Sequence, residues 1–306
     1  MQKTDDQQTG LVVSYFGNSV AVEAANGQVV QCHLRRNQEL PVVGDRVHWQ
    51  YENSETGSII DILPRKSLLA RGDRGKMKPL AANLDAMVVV MAPPPIFSAY
   101  LVDRYLVAAE LLSIAPVLVI NKSDLLHEHS RAELAALLTP YRQVPYPVIF
   151  SSCYQKNGLD ELGARLAGKT AVLVGPSGVG KSSIISALAE KDIRTGDVSA
   201  KGAGKHTTTA TRFYHLPSGG GLVDSPGVRE FHLWQVEKAE VLHAFRDFNE
   251  YALDCKFRDC QHLAEPGCGV QTAVADGKIA AQRYASYQTL MAAAVQTPKN
   301  RKDKKT

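Results

Sequence analysis

Gly175-Pro176-Ser177-Gly178-Val179-Gly180-Lys181-Ser182 fits G-x-x-x-x-G-K-[ST], a spacing that cradles phosphate. Its glycines let backbone N–H groups curl around phosphate oxygens, where the start of a helix adds positive potential. Lys181 is placed to reach the outer phosphates, Ser182 to ligate magnesium, and Ser183 to extend the cradle. Asn121-Lys122-Ser123-Asp124 matches N-K-x-D, a guanine-reading loop. Guanine presents N1–H and N2–H₂ side by side, and a fixed Asp124 carboxylate can accept both. Adenine lacks these donors and leaves the carboxylate unpaired, so a site of this kind discriminates by a wide margin. Ser151-Ser152-Cys153 falls where backbone N–H groups can support guanine O6. Asp224-Ser225-Pro226-Gly227 fits D-x-x-G, in which Asp224 holds magnesium through water and the Gly227 N–H senses a γ-phosphate. Gly204–Thr209 lies between these elements. One of Thr207, Thr208 and Thr209 completes the magnesium shell; Thr208 is the choice, with the register left open.

A second chemistry lies downstream. Of five cysteines, three fall in Cys255-x4-Cys260-x-His262-x5-Cys268. Three thiolates and one imidazole suit a closed, tetrahedral structural zinc site, and a small module poor in apolar residues leans on such a metal to fold. The spacing is not the common pair of C-x-x-C motifs, so disulfides or unligated cysteines remain the alternative. Cys32 and Cys153 are assigned to no metal.

The chain has 306 residues and a net charge of +4, with a pI of about 8.7. That length allows two or three domains. No apolar run reaches the roughly 20 residues that span a bilayer, and Met1–Thr9 lacks the apolar stretch of a signal peptide. A soluble, cytoplasmic monomer, with no membrane partner, is the expectation.

These loops need strands and helices to aim them. Ala86–Met91, Pro116–Ile120, Val148–Phe150 and Thr170–Val174 read as buried strands, alternating with helices over Leu101–Ser113, Ser130–Leu138, Leu159–Ala167 and Ser183–Ala189. Arg212–Leu216 and Gly221–Val223 add two strands. The alternation argues a doubly wound α/β sheet with its ligand at the strand ends. Ahead of it, Leu11–Tyr15, Ser19–Glu23, Val29–Leu34, Arg46–Tyr51 and Ser58–Leu63 are five short strand-like runs that suit an OB-fold β-barrel. Such a barrel either binds RNA or single strands or serves as a spacer or protein contact. Residues 64–78 carry Arg65, Lys66, Arg71, Arg74, Lys76 and Lys78 against Asp73, and read as a basic linker able to meet phosphate. The domains are therefore expected at 1–78 (OB-fold barrel and basic linker), 79–235 (nucleotide domain) and 236–306 (α-helical zinc module with a basic tail). Asn121 precedes Gly175, the reverse of the usual order of these motifs, which makes the nucleotide domain circularly permuted. Reconnection of this kind can preserve a sheet. It sends Asp224–Gly227 straight into the zinc module.

With these residues assembled, the chain resembles the ribosome small-subunit-dependent GTPase A family over nearly its whole length. The carriers are Lys78–Asp85, Asn121–Asp124, Gly175–Ser183, His206–Thr209, Asp224–Gly227 and Cys255/Cys260/His262/Cys268. Ser-Ser-Cys stands where Ser-Ala is the commoner form. The resemblance implies GTP hydrolysis to GDP and phosphate, stimulated by the small ribosomal subunit during its late maturation, with contacts to its rRNA. Val228 follows D-x-x-G, where many GTPases place a water-orienting Gln. Turnover by the chain alone is therefore expected to be slow. His206 is the candidate for the water-positioning role, in agreement with the resemblance, and Lys181 carries charge in the transition state. An ATP-dependent kinase or ATPase, an RNA-binding assembly factor that holds GTP as a structural ligand, and a permuted GTPase of the large subunit are the competing readings.

Overall fold

The computed structural model describes residues 7–34, 38–73, 76–93, 97–189, 211–225 and 236–294. Its strands are β1 (Gln8–Tyr15), β2 (Ser19–Ala24), β3 (Val29–His33), β4 (Arg46–Tyr51), β5 (Thr56–Ile62), β6 (Leu68–Asp73), β7 (Lys76–Ala82), β8 (Ala86–Met91), β9 (Ala115–Ile120), β10 (Val148–Phe150), β11 (Lys169–Val174), β12 (Arg212–His215) and β13 (Gly220–Asp224). Its helices are α1 (Ala99–Leu111), α2 (Glu128–Gln143), α3 (Asp160–Leu166), α4 (Lys181–Leu188), α5 (Lys238–Ala244), α6 (Asn249–Ala252), α7 (Gly269–Ala275) and α8 (Ala281–Ala293). No described helix is long and apolar enough to cross a membrane.

The first five strands close on themselves. The order runs β1-β2-β3-β5-β4, and β4 returns to β1 with Gly10 opposite Val47. Their inward residues, among them Val12, Val20, Val22, Val30, Val47, Trp49 and Ile59, form one core. This is the five-stranded barrel expected from the short alternating runs.

The sheet that follows has the order β10-β9-β8-β11-β13-β12, parallel except for β12. Strand β8 is buried at every position, as a strand covered on both faces must be. Its side chains alternate between two cores. Met87, Val89 and Met91 meet Leu106 of α1 and Leu138 and Tyr141 of α2. Ala86, Val88 and Val90 meet Leu162 and Leu166 of α3 and Ile184 and Ile185 of α4. The result is a three-layer α/β sandwich.

Two features depart from the reading of residues 64–78 as linker. Leu68–Asp73 and Lys76–Ala82 pair as an antiparallel hairpin, with Leu69 opposite Ala81 and Arg71 opposite Lys78. The charges conceal an apolar base: Leu69, Ala70, Leu80, Ala81 and Ala82 are buried, and β7 continues past residue 78. The base is pinned to the barrel by Arg65, whose Nε and Nη2 each donate to the buried Asp45 carboxylate at 2.7 Å. The barrel also touches the nucleotide sheet directly. Ser14 of β1 pairs with Arg212 of β12, and His215 Nε2 meets Glu23 Oε2 at 2.8 Å.

The C-terminal helices build their own core around Phe245, Phe248 and Tyr287, joined by Val107 from α1. The junction carries a buried charge. Arg283, 1% exposed, donates through Nη1 to Asp103 of α1 at 2.6 Å and through Nε to Asp247 at 3.0 Å. Burial acts downward on the Arg283 guanidinium, yet Asp103 and Asp247 carry its pKa above the ordinary value. Removing one partner of such a group leaves an uncompensated buried charge. Arg283→Met is expected to lower unfolding free energy by about 3 kcal/mol, read by denaturant titration. Adding Asp103→Leu should return part of the loss.

Candidate nucleotide-binding site and metal centre

The parallel strands β9, β10, β11 and β13 deliver four loops to the carboxyl edge of the sheet, where doubly wound folds bind ligands. Gly175–Gly180 leaves β11 and enters α4 at Lys181. Gly180 sits at φ +96°, and a Cβ there would lie 2.3 Å from Asn121 Nδ2. A Cβ on Gly175, at φ +136°, would lie 2.1 Å from the Val90 carbonyl oxygen. Glycine is required at both positions by conformation and by close approach. Lys181 is buried, and its Nζ donates to the carbonyls of Gly175 at 2.7 Å and Pro176 at 2.6 Å. The amine is therefore held inside the loop it is expected to serve. Ser182 and Ser183 are exposed on the first turn of α4.

Asn121 joins three loops. Its Nδ2 donates to the Val179 carbonyl at 2.9 Å, its Oδ1 accepts from Ser151 Oγ at 3.1 Å, and its N–H donates to the Met91 carbonyl at 2.8 Å. Lys122 adopts the left-handed conformation, φ +56°, and its Nζ reaches the Gly178 carbonyl at 2.7 Å. Ser123 N–H donates to the Ser151 carbonyl at 2.9 Å. Asp124 stays exposed, and Ser152 Oγ donates to its Oδ1. The base loop and the phosphate loop, distant in the chain and reversed in order, are thus bonded side by side.

The Ser151-Ser152-Cys153 loop differs from the sequence reading in one respect. The N–H groups of Ser151 and Ser152 are engaged, by the Ile120 carbonyl at 2.9 Å and the Gly158 carbonyl at 3.0 Å. The two serines act through their hydroxyls, on Asn121 and Asp124. Among the described residues, the loop's backbone donor left for a base oxygen is the Cys153 N–H. Burial, followed by the Asp124 carboxylate, pushes the Cys153 thiol up, so the side chain stays neutral beside the base loop.

Asp224 ends β13, which runs parallel to β11 with Val223 opposite Val172, so it reaches the same sheet edge as Gly175. Gly227 and Val228, together with His206 and Thr207, Thr208 and Thr209, lie outside the described residues.

Cys255, Cys260, His262 and Cys268 bring their ligand atoms within 4.8 Å of one another. Cys255 Sγ and Cys268 Sγ are each 3.4 Å from His262 Nδ1, and 3.9 Å from each other. Zinc bond lengths in a tetrahedron give edges of about 3.6 Å for S···N and about 3.8 Å for S···S. The four residues fit that ion, and all three cysteines are free thiols. Burial pushes the Cys260 thiol up to about 12, raises Cys268, and lowers His262. Only a cation at their centre lets such buried thiols ionise together.

Glu265 shapes the loop that presents them. Its carboxylate accepts the N–H groups of Gln261 and Leu263 at 2.9 Å and of Ala264 at 3.0 Å. Burial acts upward on this carboxyl, but the backbone donors hold it at about 2.

A family model described as RsgA GTPase matches residues 62–234. The small ribosomal subunit biogenesis GTPase RsgA of Pseudomonas aeruginosa (strain LESB58) is 47% identical over 294 residues, covering 95% of this chain and 87% of that protein. The protein of the same name from Pseudomonas savastanoi pv. phaseolicola is 48% identical over 293 residues, covering 94% and 85%. Among solved structures, YjeQ from Thermotoga maritima superposes with a TM-score of 0.76 at 33% identity, covering 94% of this chain and 98% of that one. YloQ, described as a circularly permuted GTPase, gives 0.75 at 29% identity, covering 95% and 96%. Fold, loop order and likeness define a circularly permuted P-loop GTPase, a class that uses guanine nucleotide and Mg²⁺. Within that class, the chain belongs to the RsgA GTPase family.

Two outcomes follow from this geometry. Gly180→Ala should abolish measurable binding of both GTP and GDP, read by fluorescent-nucleotide titration, because the added methyl expels Asn121. The Glu265 contribution to stability is present above the unfolded carboxyl pKa of about 4.3 and is lost as pH falls through about 2. The gap in thermal midpoint between the wild-type protein and Glu265→Gln should therefore be full at pH 6 and shrink steadily below about pH 4.

Proposed function

We propose that this protein hydrolyses GTP to GDP and phosphate when docked on the small ribosomal subunit, and does so during late maturation of that subunit in the cytoplasm. The observation that carries the reading is the Asn121 clasp, which sets a guanine-reading carboxylate beside a phosphate loop. The Pseudomonas relatives, named small ribosomal subunit biogenesis GTPases, support the choice of subunit.

The roles rest on the geometry for the described residues, and on the sequence motifs and the resemblance for Thr208, Gly227 and His206. Asp124, oriented by Ser152, accepts the guanine N1–H and N2–H₂, and the Cys153 N–H supports O6. Lys122 and Ser123 hold that loop against Gly178 and Ser151. Ser177, Val179 and the flanking glycines wrap the phosphates with backbone N–H groups, while Pro176, which has no N–H, shapes the loop's first turn. Lys181 exchanges the carbonyls of Gly175 and Pro176 for phosphate oxygens, so charge replaces two neutral acceptors. Ser182, Thr208 and Asp224 are the residues for Mg²⁺, which neutralises charge on the β- and γ-phosphates. Gly227 senses the γ-phosphate. His206 positions the attacking water, in place of the side chain that Val228 cannot supply. Cys255, Cys260, His262 and Cys268 hold one structural zinc.

The barrel and the β6–β7 hairpin are the rRNA-facing elements in this reading. Half-buried Arg71 and exposed Lys78 stand opposite each other towards the hairpin tip, and cations that reach the surface meet phosphate without sequence preference. We propose three units, as the sequence suggests, with the first boundary moved from residue 78 to the end of the hairpin strand at Ala82: 1–82, 83–235 and 236–306, acting as a monomer.

The test is GTP hydrolysis measured with small subunits, with large subunits, and with neither. Small subunits should raise the rate by at least about ten-fold, and large subunits should leave it unchanged. Equal rates in all three would overturn the assignment of partner. His206→Ala should remove the stimulated rate while sparing GTP affinity.

A further inference from the structure

The barrel joins the nucleotide sheet along β1 and β12, and beside that seam the two leave a gap. Leu11 of β1 stands opposite Arg46 of β4. Their neighbours Val12 and Val47 fill the barrel core, so by alternation Leu11 and Arg46 point outward. On the sheet, Phe213 and His215 lie two residues apart on β12 and share a face, with ring centroids 5.1 Å apart. Gly221 of β13 makes room for the phenyl ring, since a Cβ there would lie 2.2 Å from Phe213 Cε1. These four side chains line one cleft of about 580 Å³, together with Lys66 and Asp85. Its volume is that of a small-molecule site, about 300–1,000 Å³. The cleft lies at the amino edge of the sheet, by Gly168 and Thr170. The phosphate loop leaves the other end of β11, six residues long, about 17 Å away.

Most polar groups of the cleft are already engaged. Asp85 accepts from Lys66 Nζ at 2.5 Å through Oδ1 and from the Thr170 N–H at 2.9 Å through Oδ2. Asn83 accepts the Lys66 N–H and donates to the Gly44 carbonyl, both at 2.9 Å. His215 Nε2 meets Glu23 Oε2 at 2.8 Å. Arg46 differs: it is exposed, and its guanidinium has no hydrogen bond or ion pair with a described residue. The Lys66 side chain is 53% exposed, and an ammonium has three donors, so donors remain beyond the one that meets Asp85. The cleft therefore offers cationic donors beside an apolar wall of Leu11, Leu63 and Phe213. We propose that it is a second ligand site, for a small phosphate monoester with an apolar or aromatic body, its phosphate held by Arg46 and Lys66 and its body packed on that wall. The guanidinium fork matches phosphate through two parallel N–H···O bonds, and the ammonium adds a point charge. Arg46 belongs to the barrel, Lys66 to the segment leading into the hairpin, and Phe213 to the sheet. An occupant thus fastens three parts of the chain to one another, and it can be bound at the same time as guanine nucleotide.

The experiment titrates phenyl phosphate into the full chain in excess GDP and Mg²⁺, so that the phosphate loop is filled, and follows the ligand by NMR. Saturable binding with a Kd of about 1 mM is expected. Inorganic phosphate, which lacks the body, should bind about ten-fold more weakly, and benzyl alcohol, which lacks the charge, should not bind. Phenyl phosphate should raise the thermal midpoint as it saturates. Arg46→Gln should weaken phenyl phosphate about ten-fold, and Arg46→Lys, which keeps the charge and loses the fork, by less. Because Arg46 is exposed, both variants should keep the wild-type midpoint without ligand and the wild-type Kd for GDP. Arg46→Gln also assigns the binding to the cleft independently of how the phosphate loop is read. Absence of saturable binding, or equal affinity in wild type and Arg46→Gln, would overturn the site. Equal affinity for inorganic phosphate and phenyl phosphate would overturn the role of the apolar wall.

Discussion

One carboxamide holds the nucleotide site together. Asn121 is 2% exposed and bonds the phosphate loop, the Ser151 loop and the end of β8. No covalent neighbour enforces this meeting, because 58 residues separate Asn121 from Val179. The permuted order makes the constraint sharper. Permutation changes which strand ends are joined by chain, but it leaves unchanged which strand ends lie side by side. The side-chain bonds between loops therefore carry the geometry that chain order no longer implies. Gly180 belongs to the same constraint, since its missing Cβ is the space that Asn121 occupies.

The second organising feature is a buried cation between bodies of different origin. Arg283 comes from α8, Asp103 from the helix that covers the sheet, and Asp247 from the turn after α5. A hydrophobic contact would hold α8 on α1 over a range of angles. A planar guanidinium between two carboxylates holds it at one angle, because its donors form a fixed fork. The Tyr141 and Phe245 rings stand 5.4 Å and 4.9 Å from its carbon and close off water. Orientation, more than net stability, is what such a group supplies.

Much of this was legible in the sequence, for a physical reason. The phosphate and base loops are local: each performs its chemistry within eight residues, so spacing alone displays it. The Cys/His cluster is nearly as compact. The barrel's short alternating runs and the continuous apolar strands of the nucleotide sheet follow from burial on one face or two. The hairpin at Leu68–Ala82 was hidden because its charges dominate the composition, while its small apolar base is what packs. The serines of the Ser151 loop were expected to contribute amides and contribute hydroxyls instead, a distinction decided by tertiary pairing with Ile120 and Gly158. The Arg283–Asp103 pair spans 180 residues of sequence. No pattern in either helix marks its partner.

The seam between β12 and β1 has a consequence for solubility. An open sheet ends in strands whose unpaired N–H and C=O groups invite another molecule to add on, and natural proteins blunt these margins by shortening or covering them. Here β10 closes one side with only three residues. On the other side, the barrel's first strand continues the hydrogen-bonded ladder where β12 would otherwise stand bare. The barrel thus doubles as a guard rail against intermolecular strand addition, which matters for a chain whose central strands carry unbroken apolar runs such as Ala86–Met91 and Ala171–Val174.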